Sequence, residues 1–443
     1  MELLKKTRAQ FSSMVRFAWI GIFFLVCNQI ATAQQTTAGQ TGAVQPKFES
    51  GTRTAPQFGG PDQVDNQIAE DEASVSRVVE ERLLEPWFQW KKGIQEEHGL
   101  SFGVDYTTAL LTADDSPAGA EDSATGGMVR FFGSWELAGR ESGNTGAFVW
   151  KMEHRHKYST IAPSAFGFNL GYAGIIEPPF SDQEFRWTNL YWRQRLLEGR
   201  VAMLGGFLDA TDYVDVYALG SPWTGFLNFA FSTGTLTIPV PNDAALGAAA
   251  GAMLTDSIFF IGGIVDRNGD PRAPLEGFDT FFDESEYFTS MEVGWTPSHD
   301  RIYLDNVHVT CWHADERETA GEPRGWGLNL SVTRYLDNKW LPFLRAGYAE
   351  DGGSLMQKSV SAGFGYQPVP KGDLLGIGFN WGEPNEDTFG TGLRDQYTGE
   401  MFYRWQLTPQ LAVTPDVQYL INPALNPLED GIWVFGLRAR LAL

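Results

Sequence analysis

Side chains in the second half of this 443-residue chain alternate between apolar and polar over segment after segment. From Glu400 onward, Met401, Tyr403, Trp405 and Leu407 interleave with Arg404 and Gln406. After Thr408-Pro409-Gln410 the pattern restarts, with Leu411, Val413, Val417 and Tyr419 set against Thr414, Asp416 and Gln418. The last stretch sets Trp433, Phe435, Leu437, Ala439 and Leu441 against Arg438 and Arg440. A period of two sends successive side chains to opposite faces of a β-strand. Something apolar lies against one face of each strand, and something wet lies against the other.

The connections are sorted as well. Short ones (296–301, 336–339, 368–372, 408–410) alternate with long, polar, Gly- and acid-rich ones (265–286, 313–324, 350–356, 383–395, 422–430). Short turns at one end and long loops at the other suit an outer-membrane barrel; a water-soluble sandwich has no reason to sort its loops this way. Sixteen strands are expected between residues 100 and 443, among them an Ala- and Gly-rich one at 244–253 and one at 302–312. Strands of about ten residues span the apolar slab. The fold class read here is all-β, a transmembrane antiparallel barrel preceded by a short helical segment. No stretch of 18 consecutive apolar residues occurs, so helical spans are not expected. Pro415 falls inside a strand and should force a bulge. The connection at 210–243 is too long for an idle connector.

Four regions follow along the chain. Residues 1–33 have the build of a signal peptide: a basic start with Lys5, Lys6, Arg8 and Arg16, an apolar run from Phe17, and Ala31-Thr32-Ala33 as the cleavage signal. Residues 34–67, rich in Gln, Thr, Gly and Pro, read as a disordered linker. Residues 68–98 carry Val75, Val78, Val79 and Leu83 at helical spacing, with Pro86 as a break. Residues 99–443 are the barrel. Export follows from the leader, and the mature chain keeps only Cys311, so no internal disulfide is available. A net charge of −22 argues against nucleic acid as a partner.

The residues on the wet faces are the candidates for sorting solutes. Lys151, Glu153, Arg155 and Lys157 share one face of a strand. In the next strand Trp187, Asn189, Tyr191 and Arg193 are expected to share a face, and an aromatic beside an amide and a guanidinium suits a sugar. Asp209 and Asp212 stand at the root of the long connection, either at a constriction or as turn formers. Glu292, Arg345, Glu400, Arg404, Asp416 and Arg438 face the same interior. His154 and His156, two apart, and the Asp266, Asn268, Asp270 set are weak metal patterns, and neither is carried forward as a metal site. No cofactor is implied. Gly-x-Ser-x-Gly, His-Glu-x-x-His and P-loop signatures are missing from the sequence, and a barrel enzyme is therefore not expected.

Several stretches resemble the OprB-type carbohydrate-selective porin family. They are "NLYWRQRLLEGRVAMLGGFLDATDYVD", "LRAGYAEDGGS", "GDLLGIGFNWGEP" and, most specifically, "TPDVQYLINPALNP". The resemblance covers about residues 100–443. It implies a sixteen-stranded pore in the bacterial outer membrane that admits sugars by passive diffusion, as a homotrimer. Outer-membrane lipid and lipopolysaccharide are the expected surroundings. The chain departs from the family pattern at Arg193, at Gly206-Phe207 and at its final Leu443. The competing reading is a general or cation-leaning pore, which the negative charge favours.

Overall fold

The computed structural model describes residues 58–79, 84–241 and 243–443. The expected signal peptide (1–33) and the first part of the expected linker (34–57) lie outside the described residues. Sixteen strands follow one another: β1 Leu100–Ala113, β2 Ser123–Ala138, β3 Gly146–Lys157, β4 Glu184–Leu196, β5 Val201–Leu208, β6 Ala245–Met253, β7 Ile258–Asp266 and β8 Tyr287–Trp295. The second half is β9 Asn306–Ala314, β10 Gly325–Thr333, β11 Trp340–Asp351, β12 Met356–Tyr366, β13 Leu374–Pro384, β14 Gln396–Gln406, β15 Leu411–Ile421 and β16 Gly431–Ala442. Each pairs antiparallel with its sequence neighbours, and β1 closes the ring on β16. Closure leaves no unpaired edge, the condition for a sheet to stand in hydrocarbon.

The alternation translates directly into two surfaces. Trp433, Phe435, Leu437 and Leu441 are exposed on the outside, as are Met401, Tyr403 and Trp405. The residues between them, including Arg438, Arg440 and Glu400, are buried inside the ring. Cys311 is exposed. The turn between β10 and β11 shows how the tight end is made. Asp337 and Asn338 both have φ of 52°, the left-handed conformation that such hairpins require and that Asp and Asn tolerate.

Several expectations need correction. The strand expected at 302–312 starts only at Asn306, because residues 299–301 form a 3-10 turn. Pro415 forces no bulge. It stays in register opposite Leu437, and the ladder to β14 merely omits the rungs between Phe402↔Asp416 and Trp405↔Val413. The linker expected over 34–67 is ordered at its end, where helix α1 spans Val64–Ala73. The valines at 75, 78 and 79 are not helical. Pro86 breaks nothing; it sits in the first turn of helix α2, Glu85–His98, where its missing N–H costs no bond. Gly99 ends α2 in the left-handed conformation, with φ of 69°.

Helix α1 lies inside the barrel, and α2 lies outside it. Ser134 and Arg195, both inward-facing near short turns, donate to Asp65 of α1 at 2.6 and 3.0 Å. Ser76, after α1, donates to Gln406 O at 2.8 Å, beside the β14–β15 turn. Before α1, the Phe58 ring stands 4.4 Å from His299 in the β8–β9 turn. The segment 58–76 therefore enters and leaves the lumen at the short-turn end. Helix α2 packs Trp87 and Trp90 edge-on against Phe102 of β1, with ring centroids 5.9 and 6.0 Å apart. The register Phe102–Tyr106–Leu110 is the outward one, so α2 rests on the outer wall.

Candidate functional site

The long connection, residues 209–244, folds into the lumen and crosses it. Arg345 on β11 fixes its near part: the guanidinium donates to Ser232 O at 2.5 Å and Asp215 O at 2.6 Å, pairs with the Asp215 carboxylate, and lies 4.3 Å over the Tyr217 ring. His308 meets Asp215 Oδ1 at 2.8 Å. Glu292 accepts from Asp215 N at 3.0 Å and from Thr310 Oγ1 at 2.8 Å. Glu400 on the opposite wall accepts from the backbone N–H of Leu227 at 2.6 Å and of Asn228 at 3.0 Å. Arg438 donates to Pro222 O at 2.5 Å and Gly225 O at 2.9 Å. Charged wall residues thus satisfy the polar backbone of a loop that carries little secondary structure of its own.

Apolar packing completes the attachment. Phe226 and Phe231 of the loop cluster with inward-facing Leu341, Phe343 and Phe402. Glycines make room for it: a Cβ at Gly347 would stand 2.0 Å from Thr237 Oγ1, and one at Gly378 would stand 2.7 Å from the Phe231 ring. The lumen is consequently narrower than alternation alone implies. A cavity of about 570 Å³ remains on the loop side and one of about 100 Å³ on the turn side.

Lys151, Glu153 and Arg155 of β3 line the larger cavity, joined by Arg186 of β4 and by Asp209, Trp223 and Asp243 of the inward loop. Arg155 donates to Glu153 at 2.7 Å and reaches Asp243 at 3.2 Å, and Arg186 pairs with the same Asp243 carboxylate. Glu153 Oε1 is buried with no hydrogen-bond partner among the described residues. Lys151 Nζ lies 3.2 Å from Asp212 and 2.9 Å from Asp62 O. Burial holds the Asp212 carboxyl up at about 6, with Lys151 acting against the rise. Asp209 has two tasks: it caps Thr211 at 2.9 Å as a turn former, and it lines the cavity.

The other expected residues sit elsewhere. Trp187 does not face the lumen. The register shifts by one between Lys151↔Asn189 and Met152↔Trp187, which turns Trp187 towards Phe185 on the outer wall. Asn189 faces inward but is covered; it donates to Asp212 at 2.7 Å and accepts from Asp209 N at 2.8 Å. Tyr191 packs in the same apolar cluster as Val64 and Ile68 of α1. Arg193 pairs with Asp65 of α1. Arg404 lines the smaller cavity. Lys157 is at the rim, 2.9 Å from Asp182. His156 faces outward, 3.0 Å from the Tyr158 hydroxyl, and Asp266 and Asp270 cap the backbone of Asn268 and Arg272. Arg186, Trp223 and Asp243 were not singled out from sequence. The bulge hid the first, and nothing local marks which part of a long loop turns inward.

One buried acid stands apart. Glu177, on the β3–β4 connection, has no hydrogen bond to either carboxylate oxygen among the described residues, and Arg438 is 3.7 Å away. Burial pushes its carboxyl up to about 8, against the pull of Arg438. The unfolded chain releases this proton near 4.5 and the folded barrel near 8. Stability is therefore full below 4.5 and is lost as pH rises towards 8. The loss is on the order of a few kcal/mol. Glu177→Gln should remove it: the temperature at which the folded electrophoretic band disappears should fall between pH 5 and pH 9 in the natural chain and fall less in the variant, where Asp212 still titrates. Equal slopes would rule this account out.

The comparisons agree with this architecture. A family model described as carbohydrate-selective porin, OprB family, matches residues 119–323 and 323–443. Among solved structures, Pseudomonas putida OprB at high pH superposes with a TM-score of 0.64 at 15% identity, covering 84% of this chain and 99% of that one. The same protein at low pH gives 0.49 at 14% identity, covering 84% and 100%. A Rhodopseudomonas blastica porin triple mutant gives 0.49 at 12%, covering 78% and 100%. No curated protein matches. At these identities the structural likeness speaks for the fold, and the family match spans well over half of the residues. With a closed sixteen-stranded barrel and a charged interior beneath it, the chain belongs to the OprB family of carbohydrate-selective porins and is an outer-membrane sugar porin.

Proposed function

We propose that mono- and oligosaccharides diffuse passively through this barrel and pause in the larger cavity. The observation that carries the reading is the composition of that cavity. Its volume of about 570 Å³ lies within the range of about 300–1,000 Å³ typical of small-molecule pockets. Lys151, Arg155 and Arg186 offer donors, Glu153 and Asp243 offer acceptors, and Trp223 and Tyr217, each with a guanidinium over its ring, add apolar lining. Sugar hydroxyls need both kinds of polar partner, and the C–H face of the ring needs an aromatic or other apolar surface. The protein works without turnover, as a passage.

Liposome swelling with a graded series of sugars tests this. Glucose and short maltodextrins should enter, and they should also reduce ion current through single channels. Glu153→Ala should weaken that block roughly tenfold, the worth of one charge-assisted hydrogen bond. Unchanged block would sink the assignment of the site.

A second reading, a general pore that prefers cations, is favoured by the net charge of −22. Under it, sugars leave the ion current unchanged and the reversal potential shows cation preference. The surroundings belong to the same proposal: lipid against the aromatic outer wall, lipopolysaccharide at the long loops, and a homotrimer that native mass in detergent would reveal. Export with cleavage after Ala33 is checked by sequencing the mature N-terminus.

A further inference from the structure

The two cavities share three lining residues, Pro61, Asp62 and Trp223. Two of them belong to the segment 58–76, which lies in the lumen although it precedes the barrel in sequence. Asp62 accepts from Ser221 of the inward loop at 2.6 Å, and Gly60 N donates to Asp212 O at 2.8 Å. The partition between the cavities is thus made by the N-terminal segment seated against the long loop.

The way this segment is held is electrostatic. Asp65 pairs with Arg193 and Arg195 at once. Asp71 takes both Nη atoms of Arg440, at 2.6 and 2.7 Å. Glu70 pairs with Lys371 and accepts from Tyr303 at 2.9 Å. Arg193 and Arg195 are almost fully buried, and the other carboxylate recorded near them is Glu136, 3.6 Å from Arg195. Asp65 is therefore the main counter-charge of Arg193 and Arg195, whereas Asp71 shares Arg440 with Asp105 of β1, 2.7 Å away.

We propose that residues 58–76 are a displaceable acidic plug on a cationic track, and that the pore it vacates prefers anions despite the chain's negative charge. The proposal rests on the reading of the barrel as a diffusion pore and adds its regulation. Three features support displacement. The segment is joined to the wall mainly through side chains rather than strand pairing. It enters and leaves at one end. Its apolar contacts are few beside those of the inward loop: Val64 and Ile68 from α1, with Phe58 packed against the same cluster.

A reversible cross-link tests it. A Cβ built at Gly60 lies 2.9 Å from the Val216 Cβ, so a Gly60→Cys, Val216→Cys pair can tie the plug to the anchored loop once the two positions move apart by about 0.6–0.9 Å, to the usual disulfide Cβ···Cβ separation. In planar bilayers under a potassium chloride gradient, the reduced channel should visit a larger conductance level with anion preference, and oxidation should abolish that level. Asp65→Asn with Asp71→Asn should raise the occupancy of the larger level without any cross-link. Identical currents in oxidised and reduced channels, together with an unchanged reversal potential in the double asparagine variant, would overturn the plug. Sugar entry unaffected by the cross-link would remove the plug and leave the sugar pore standing. Cross-link-sensitive current without sugar block would do the reverse.

Discussion

Arg345→Met is expected to detach the inward loop and to lower the temperature at which the folded barrel survives in detergent. Arg345 is buried, and it serves two loop carbonyls and the Asp215 carboxylate together. Removing one partner of a buried ion pair costs about 3–5 kcal/mol, because the remaining charge stays in a poorly solvating place. Burial alone would raise the Asp215 carboxyl; Arg345 and the hydrogen bond from His308 outweigh it and hold the group ionised. Without the arginine, Asp215 should take up a proton or pull away, and the loop should move with it. Heat-modified electrophoresis reports the stability, and single-channel noise reports the loop. A variant that melts and conducts as the natural chain does would show that the anchor lies elsewhere, with Glu400 the next residue to test.

Leu437→Arg should prevent stable insertion, although the next residue is already an arginine. Leu437 points outward near the middle of β16, opposite Leu110 and Pro415. An arginine on the lipid face near the midplane costs about 2–4 kcal/mol. Arg438, one residue on, faces inward and donates to Pro222 O and Gly225 O. Arg438→Leu should leave insertion intact and loosen only the loop. Folding yields into lipid vesicles for the two variants decide the matter. Equal yields would contradict the assignment of the outer face.

How much of this was legible in the sequence depends on what imposes the pattern. Lipid imposes a strict period of two, so the strands, their outward faces and the closed ring could be read from residues such as Trp433, Phe435 and Leu437. The interior obeys no such rule. Helix α1 buries Val64, Asp65, Gln67 and Ile68 together, because the wall it meets is itself rich in arginine. A stretch of Gln, Gly and Asp therefore looked like a linker. Phe343 and Phe402 face inward, where polar residues were expected, because they receive the phenylalanines of the loop. Trp187 was misplaced for a smaller reason: one extra residue in β4 inverts every face before it, and a bulge leaves no mark in the alternation. Of the candidate site, Lys151, Glu153 and Arg155 were legible because β3 runs regularly through them. Arg186 and Asp243 required the fold.

Phe58 and Ser76 both sit by the tight turns, so the intervening stretch is a hairpin pushed in and not a thread drawn through. A thread could leave the finished ring only by sliding its whole length through the lumen. A hairpin can be drawn out and reseated without breaking a single inter-strand hydrogen bond. Maturation of the wall and occupation of its hollow are thereby uncoupled: the cylinder can finish assembling first, and its tenant can come and go afterwards.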